Sequence, residues 1–193
     1  MWRKADTIED AVLILQIAEA SDKVSYNTSG IKGAIEYKSQ ELFTLFSDAN
    51  EQFWIYEDGE RKGAIRLNKR VKPNGIETGR ICNFVASGFD PDLFTNWQIA
   101  FPILMTKVRE VYDAWKITDY MGIIPRTKTG ECLAYFCDVL CWDSEPVGYM
   151  PDMQGFKVDF NRAPEKKPIN ESTWEPLAES PIVPDAKIEM EKI

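Results

Sequence analysis

The feature that most restricts how this chain can fold is a change in apolar spacing near its middle. FWIY, the segment Arg61 to Val71 and the run Ile76 to Ala86 have the aromatic, β-branched or alternating character of strands. EDGE and KPNG between them supply turn signals. Connections this short make the three strands an antiparallel meander. From Leu93 onward the period lengthens. Leu93, Trp97, Phe101, Leu104, Val108, Val111, Tyr112 and Trp115 recur at steps of three and four, which is one face of a long helix. ITDYMGII then returns to strand character, and Pro125 ends it. A strand separated from ICNFVAS by a whole helix crosses over and lies parallel to it. The expectation is an α/β (α+β) fold with a mixed, mostly antiparallel sheet flanked by helices.

The remaining elements fit around that centre. Thr7 followed by Asp10 marks a helix start, where the Thr7 side-chain oxygen satisfies an orphan backbone N–H. Ile8, Ala11, Val12, Leu15 and Ala18 give this helix its buried stripe, and SDKVSYNTSGIKG ends it. A second helix is expected from Tyr37 to Phe46, where Leu42, Phe43, Leu45 and Phe46 are too dense to lie on a surface. The basic run Arg61, Lys62, Arg66, Lys69, Arg70 and Lys72 alternates with apolar residues and reads as the wet face of a strand. Pro102 interrupts the long helical pattern, so that helix is kinked there or begins near there. A short helix from Gly130 to Leu140 buries Leu133, Phe136, Cys137 and Leu140, and PVGYM and FKVDF close the sheet.

Residues 1–160 form one domain on this reading, and residues 161–193 form an extended arm. Pro164, Pro168, Pro176, Pro181 and Pro184 block both helix and central strand there. The arm nevertheless carries Trp174, Leu177, Ile182 and Val183, more apolar anchors than a solvated linker needs, and these are the expected partner-binding residues.

Composition narrows the chemistry. The chain has no histidine, which removes Ser–His–Asp and Cys–His nucleophile pairs and every histidine-containing metal site. Cys132, Cys137 and Cys141 offer no C-x-x-C pair and read as small buried hydrophobes, so no metal is expected. A net charge of −8 argues against binding nucleic acid by phosphate neutralisation. No apolar run is long enough to cross a bilayer, and MWRKADTIED lacks the apolar core of a secretory signal. The expected setting is the cytoplasm of a host cell.

The order helix, helix, three antiparallel strands, long helix, parallel strand, short helix, two strands resembles the GNAT N-acetyltransferase superfamily across Trp2 to Phe160. GIIPRTKTGECLAYFCDVLCW looks like that family's segment leading into the last hairpin, with Leu140-Cys141-Trp142 at the Gly-Phe corner. In an active member, a glycine-rich loop after the third meander strand cradles the pyrophosphate of acetyl-CoA with backbone N–H groups and a helix N-terminus. The corresponding stretch here, FDPDLFTNWQIAFP, has no glycine, places Asp90 and Asp92 where the phosphates would sit, and includes a proline. The family's thiolate-protonating tyrosine falls on or beside Phe136 and Cys137, while Tyr135 is out of phase. ICNFVAS carries no carboxylate to act as general base.

These departures favour a non-catalytic domain, a pseudoenzyme without cofactor, used as a structural or docking unit. Short-tailed phages encode degenerate members of this superfamily that are carried as internal virion proteins, and the resemblance extends to them. It implies other protein subunits, virion proteins among them, as partners of residues 161–193. The alternative is an acetyl-CoA-dependent N-acetyltransferase with a divergent loop. It would use the backbone of Asn83, Phe84, Val85, Ala86 and Ser87 for the pantetheine arm, with Tyr120, Tyr135 or Cys137 near the thiol.

Overall fold

The computed structural model describes residues 1–21, 35–118, 120–125, 132–133, 136, 145–150 and 153–158. The chain opens with β1 (Trp2–Lys4), α1 (Ile8–Ser21) and α2 (Ile35–Thr44), the last running into a 3-10 turn at Leu45–Ser47. The meander follows as β2 (Glu51–Asp58), β3 (Arg61–Val71) and β4 (Glu77–Ser87). The long helix is α3 (Leu93–Trp115), and β5 (Tyr120–Pro125), β6 (Glu145–Met150) and β7 (Met153–Val158) complete one seven-stranded sheet. Its order is β1-β2-β3-β4-β5-β7-β6, and only the β4–β5 joint is parallel.

Sequence spacing accounts for most of this. Thr7 caps α1 as expected: its hydroxyl accepts from Asp10 N–H at 3.2 Å, and the Asp10 carboxylate accepts from Thr7 N–H at 3.2 Å. Arg3 also pairs with Asp10, tying β1 to the start of α1. The buried stripe of α1 is rotated slightly from the expected one. Ala11, Ile14, Ile17 and Ala18 are buried, whereas Val12 and Leu15 are only half-buried.

The sheet has a core on each face. Phe53, Ile55, Ala64 and Val85 pack beneath α1 and Leu42 of α2. Ile65, Leu67, Ile81, Phe84 and Ala86 pack beneath α3, against Trp97, Phe101, Leu104, Val108 and Tyr112. Each such large apolar side chain contributes roughly 1.5–3 kcal/mol when fully buried. This corrects the expectation that β3 has a wet face. Ala64 is fully buried because α1 covers that side, and Arg66 beside it is half-buried. Arg61 and Arg70 of the same basic run are exposed.

Three further expectations change. Strand β1 does not stand out in the sequence, yet it pairs Trp2, Arg3 and Lys4 with Tyr56, Ile55 and Trp54. Phe43 is exposed rather than core, since α2 turns that side outward. Pro102 neither begins nor breaks α3, which runs through it. Pro102 and Gln98, the residue four before it whose carbonyl loses its donor, both lie on the exposed face, where the loss is cheapest. Trp97, Phe101 and Tyr112 are buried in the core, and Trp115 packs partly buried at its margin. Cys132, Leu133 and Phe136 are helical and buried, within the expected short helix. Cys137, the Leu140-Cys141-Trp142 corner and the arm lie outside the described residues.

Candidate functional site

The two parallel strands do not stay together. Pairing between β4 and β5 joins Gly79, Arg80 and Ile81 to Tyr120, Met121 and Gly122. Beyond that point, among the described residues, β4 pairs only with β3, and Ile123 to Pro125 pair only with β7. A bulge accompanies the divergence. Arg66 faces Asn83 and Leu67 faces Ile81, so Cys82 is the extra residue on β4. A bulge bends the strand that carries it and increases its twist, which turns the rest of β4 away from β5. The parted edge runs along Asn83, Phe84, Val85, Ala86 and Ser87, and an extended ligand can bond such an edge as an added strand would.

Three side chains along that edge, those of Phe84, Val85 and Ala86, are committed elsewhere. Phe84 is stacked on Trp97 at 6.0 Å and tilted against Phe101 at 5.4 Å. Val85 belongs to the core under α1, and Ala86 to the one under α3. At these three positions the backbone is what is left for a ligand. Tyr120 stands opposite Gly79 at the closed end, the first of the three paired positions and two residues before the strands part. Tyr135 and Cys137 fall outside the described residues, as do Trp174, Leu177, Ile182 and Val183.

At the open end, β4 hands over to α3 through Gly88. This glycine has φ +77°, and a Cβ built on it would stand 2.2 Å from the carbonyl oxygen of Glu60 in the β2–β3 turn. Its freedom is consumed by a turn and a close backbone approach within the fold. The loop behind it satisfies several of its own donors. Asn96 Oδ1 accepts from Phe89 N–H at 3.1 Å and Asp90 N–H at 3.4 Å, and Asp90 Oδ1 accepts from Asp92 N–H at 2.8 Å. Asp92 Oδ1 accepts from Thr95 N–H and Thr95 Oγ1, both at 2.9 Å, and Asn96 N–H donates to the Asp92 carbonyl at 2.9 Å. Pro91 has no donor. Asp92 is therefore the N-cap of α3, and its carboxylate already holds the place an anion would take. The Thr95 N–H, then the Thr95 hydroxyl, hold its pKa below the usual carboxylate range, so it stays charged. A diphosphate approaching this terminus meets that charge.

A polar cluster flanks the bulge on the α1–α2 side of the sheet. Glu51, buried at the start of β2, accepts from Arg66 Nε at 2.9 Å, Arg66 Nη2 at 3.0 Å and Asn68 Nδ2 at 2.7 Å. Burial would lower the Arg66 pKa, but the Glu51 hydrogen bonds outweigh it and raise it. Burial pushes the Cys82 thiol up, and nearby Arg66 offsets only part of that, so the thiol stays protonated at neutral pH. Arg66 also lines a groove of about 610 Å³ with Leu15, Lys38, Glu41 and Leu45. Sequence reading missed this cluster because its members are brought together by strand register. The cap was more legible: Asp92 three residues before Thr95, and a polar Asn96 on an otherwise apolar face, are signals within one turn. Among the described residues, no group of three His, Cys, Asp or Glu side chains is placed to hold a metal ion. No helix among them is long and apolar enough to cross a membrane.

A bulged β4 parting from a parallel β5, with a long helix starting at the open end, is the frame of an acyltransferase fold. The chain is similar in structure to a putative GNAT-family acetyltransferase from Desulfovibrio desulfuricans, with a TM-score of 0.59 and 11% identity over 82% of this chain and 98% of that one. It is also similar to FeeM, an N-acyl amino acid synthase from uncultured soil microbes, with a TM-score of 0.55 and 11% identity over 83% of this chain and 91% of that one. A third similar structure is a predicted acetyltransferase with acetyl-CoA from Clostridium acetobutylicum, with a TM-score of 0.53 and 16% identity over 78% of this chain and 94% of that one. The chain has the GNAT acetyltransferase fold. No family model matches its sequence, and no curated protein does.

Proposed function

We propose that this chain uses the acetyltransferase fold as a non-catalytic docking unit. Residues 1–160 supply a rigid body, and residues 161–193 attach it to other protein subunits through Trp174, Leu177, Ile182 and Val183. The setting implied by the resemblance to degenerate phage homologues is a virion, with the protein packaged as an internal or virion-associated component. One observation carries the reading: at the N-terminus of α3 the oxygens of Asp90, Asp92 and Asn96 take the backbone N–H groups of Phe89, Asp90, Asp92 and Thr95, and the Asp92 carboxylate caps the helix. Titration calorimetry of the full chain with coenzyme A is expected to show no binding up to about 1 mM, where affinity is worth only about 4 kcal/mol. Micromolar binding would overturn the proposal. Mass spectrometry of purified particles tests the virion assignment.

The parting of β4 from β5 favours a second reading, an active acyltransferase. Acetyl-CoA would then lay its pantetheine arm along the backbone of Asn83 to Ser87, with Tyr120, Tyr135 or Cys137 near the thiol. The same titration separates the two.

A further inference from the structure

We propose that the acidic segment Glu171–Asp185 of the arm docks on the β3–β4 hairpin of its own chain. This deepens the docking reading by naming where the arm rests until another subunit takes it up, and it depends on the arm being an attachment device. The hairpin extends past its neighbour. Pairing of β2 with β3 ends at Glu51 and Asn68, while β3 and β4 continue through Lys69–Gly79, Arg70–Thr78 and Val71–Glu77. The extension is apolar and cationic at once. Val71 is 64% exposed and Ile76 53% exposed, and residues 69–80 carry Lys69, Arg70, Lys72 and Arg80 against one carboxylate, Glu77. Lys69 reaches Glu77 at 3.5 Å. Arg70 and Arg80 share the face that bears Asn68, since Arg80 sits opposite Asn68 and Arg70 lies two residues further along β3. Lys72 and Ile76, which face each other across the turn, continue that face, whereas Lys69, Val71 and Glu77 belong to the other. The Arg70–Arg80 face is thus positive and tipped by the apolar Ile76, on a chain whose net charge is −8.

The arm is its complement. Between residues 171 and 185 stand four carboxylates, Glu171, Glu175, Glu179 and Asp185, and no lysine or arginine. Trp174, Leu177, Ile182 and Val183 are spaced between them. Strand β7, the last described element before the arm, also ends beside this surface. Lys69 pairs with Gly79, Gly79 with Tyr120, and Tyr120 with Val158 near the C-terminal end of β7. Two strand spacings, about 10 Å, therefore separate Gly79 from Val158. Extended chain advances roughly 3.3 Å per residue, so the stretch from Asp159 to Glu171 spans the distance with length to spare. Opposite charge and apolar anchors at such high effective concentration favour contact within one chain over contact between chains.

Photocrosslinking tests this on the full-length chain. Benzoylphenylalanine is placed at the exposed position 76, and cross-linked peptides are mapped by mass spectrometry at dilute protein concentration. The expected product joins position 76 to residues 171–185 within a single chain. Arg70→Glu with Arg80→Glu is expected to lower the yield on the order of tenfold, as two exposed ion pairs allow. Adding Glu175→Lys and Glu179→Lys is expected to restore it, which a merely misfolded body would not do. Cross-links to another part of the body, none to the arm, or a product of twice the chain mass would overturn the proposal. The coenzyme A titration is independent of this result. Tight coenzyme binding would remove the non-catalytic reading and leave the cross-link map unchanged, whereas a failed cross-link would leave that titration where it was.

Discussion

Glu51 supports the bulge from beneath, and its removal has a calculable cost. Its carboxylate accepts three hydrogen bonds at 2.7–3.0 Å, two from Arg66 and one from Asn68. Its side chain is 5% exposed, against 26% for Arg66. Glu51→Ala leaves the Arg66 guanidinium over the Phe53 ring, 5.5 Å from its centroid, with no carboxylate opposite. Breaking one partner of a buried pair costs roughly 3–5 kcal/mol, because the other charge is left uncompensated. Arg66 can still reach water through the groove it lines, so the expected loss is smaller, about 2–3 kcal/mol. For a domain of this size that lowers Tm by about 4–12 °C. Urea and thermal unfolding followed by far-UV circular dichroism at pH 7 measure it. The double variant Glu51→Ala/Arg66→Met removes the orphaned charge and is expected to recover most of the loss. A single-variant loss below about 1 kcal/mol, or a double variant no more stable than the single, would refute the claim that this pair is a coupled, desolvated unit.

Gly88→Ala places a Cβ 2.2 Å from the Glu60 carbonyl at positive φ and is expected to destabilise by about 3 kcal/mol in the same assay; an unchanged midpoint would show that the turn relaxes freely. Burial raises the pKa of Asp10, but the Asp6 N–H, Arg3 and Thr7 N–H outweigh it and hold it below 3.8. Its stabilising contribution is therefore complete above pH 3.8 and is lost as pH falls through the lowered folded value. Asp10→Asn should flatten the acid limb of stability against pH below that point, and a limb identical to wild type would contradict the assignment. Cys82 should be alkylated by iodoacetamide at pH 8 more slowly in the folded chain than in urea, followed by peptide mass spectrometry; equal rates would show that its thiol is not held protonated.

Element order was legible in the sequence because periodicity and turn chemistry are local. The shift from alternating apolar residues to steps of three and four separated the meander from α3, and the crossover rule then fixed the parallel joint. The Thr7–Asp10 cap was readable for the same reason, since its partners are three residues apart. So was the lack of glycine in the stretch 89–102, which the structure explains through the hydrogen bonds of Asp90, Asp92 and Asn96.

What the sequence could not decide depends on residues far apart in the chain. Ala64 and Arg66 follow the same alternation whether their face is wet or covered, and only the placement of α1 over β3 buries Ala64. Nothing local marks Cys82 as the bulged residue, because a bulge is a mismatch between two strands and exists only once Arg66 and Leu67 have partners. Glu51, Arg66 and Asn68 are up to 17 positions apart and meet only through the β2–β3 register. The sequence by itself determined which elements form and in what order, β1 excepted, since backbone sterics and apolar spacing act within a few residues. Tertiary structure alone decided which faces are covered, where β4 leaves β5 and which charges meet, since burial and ion pairing act through space.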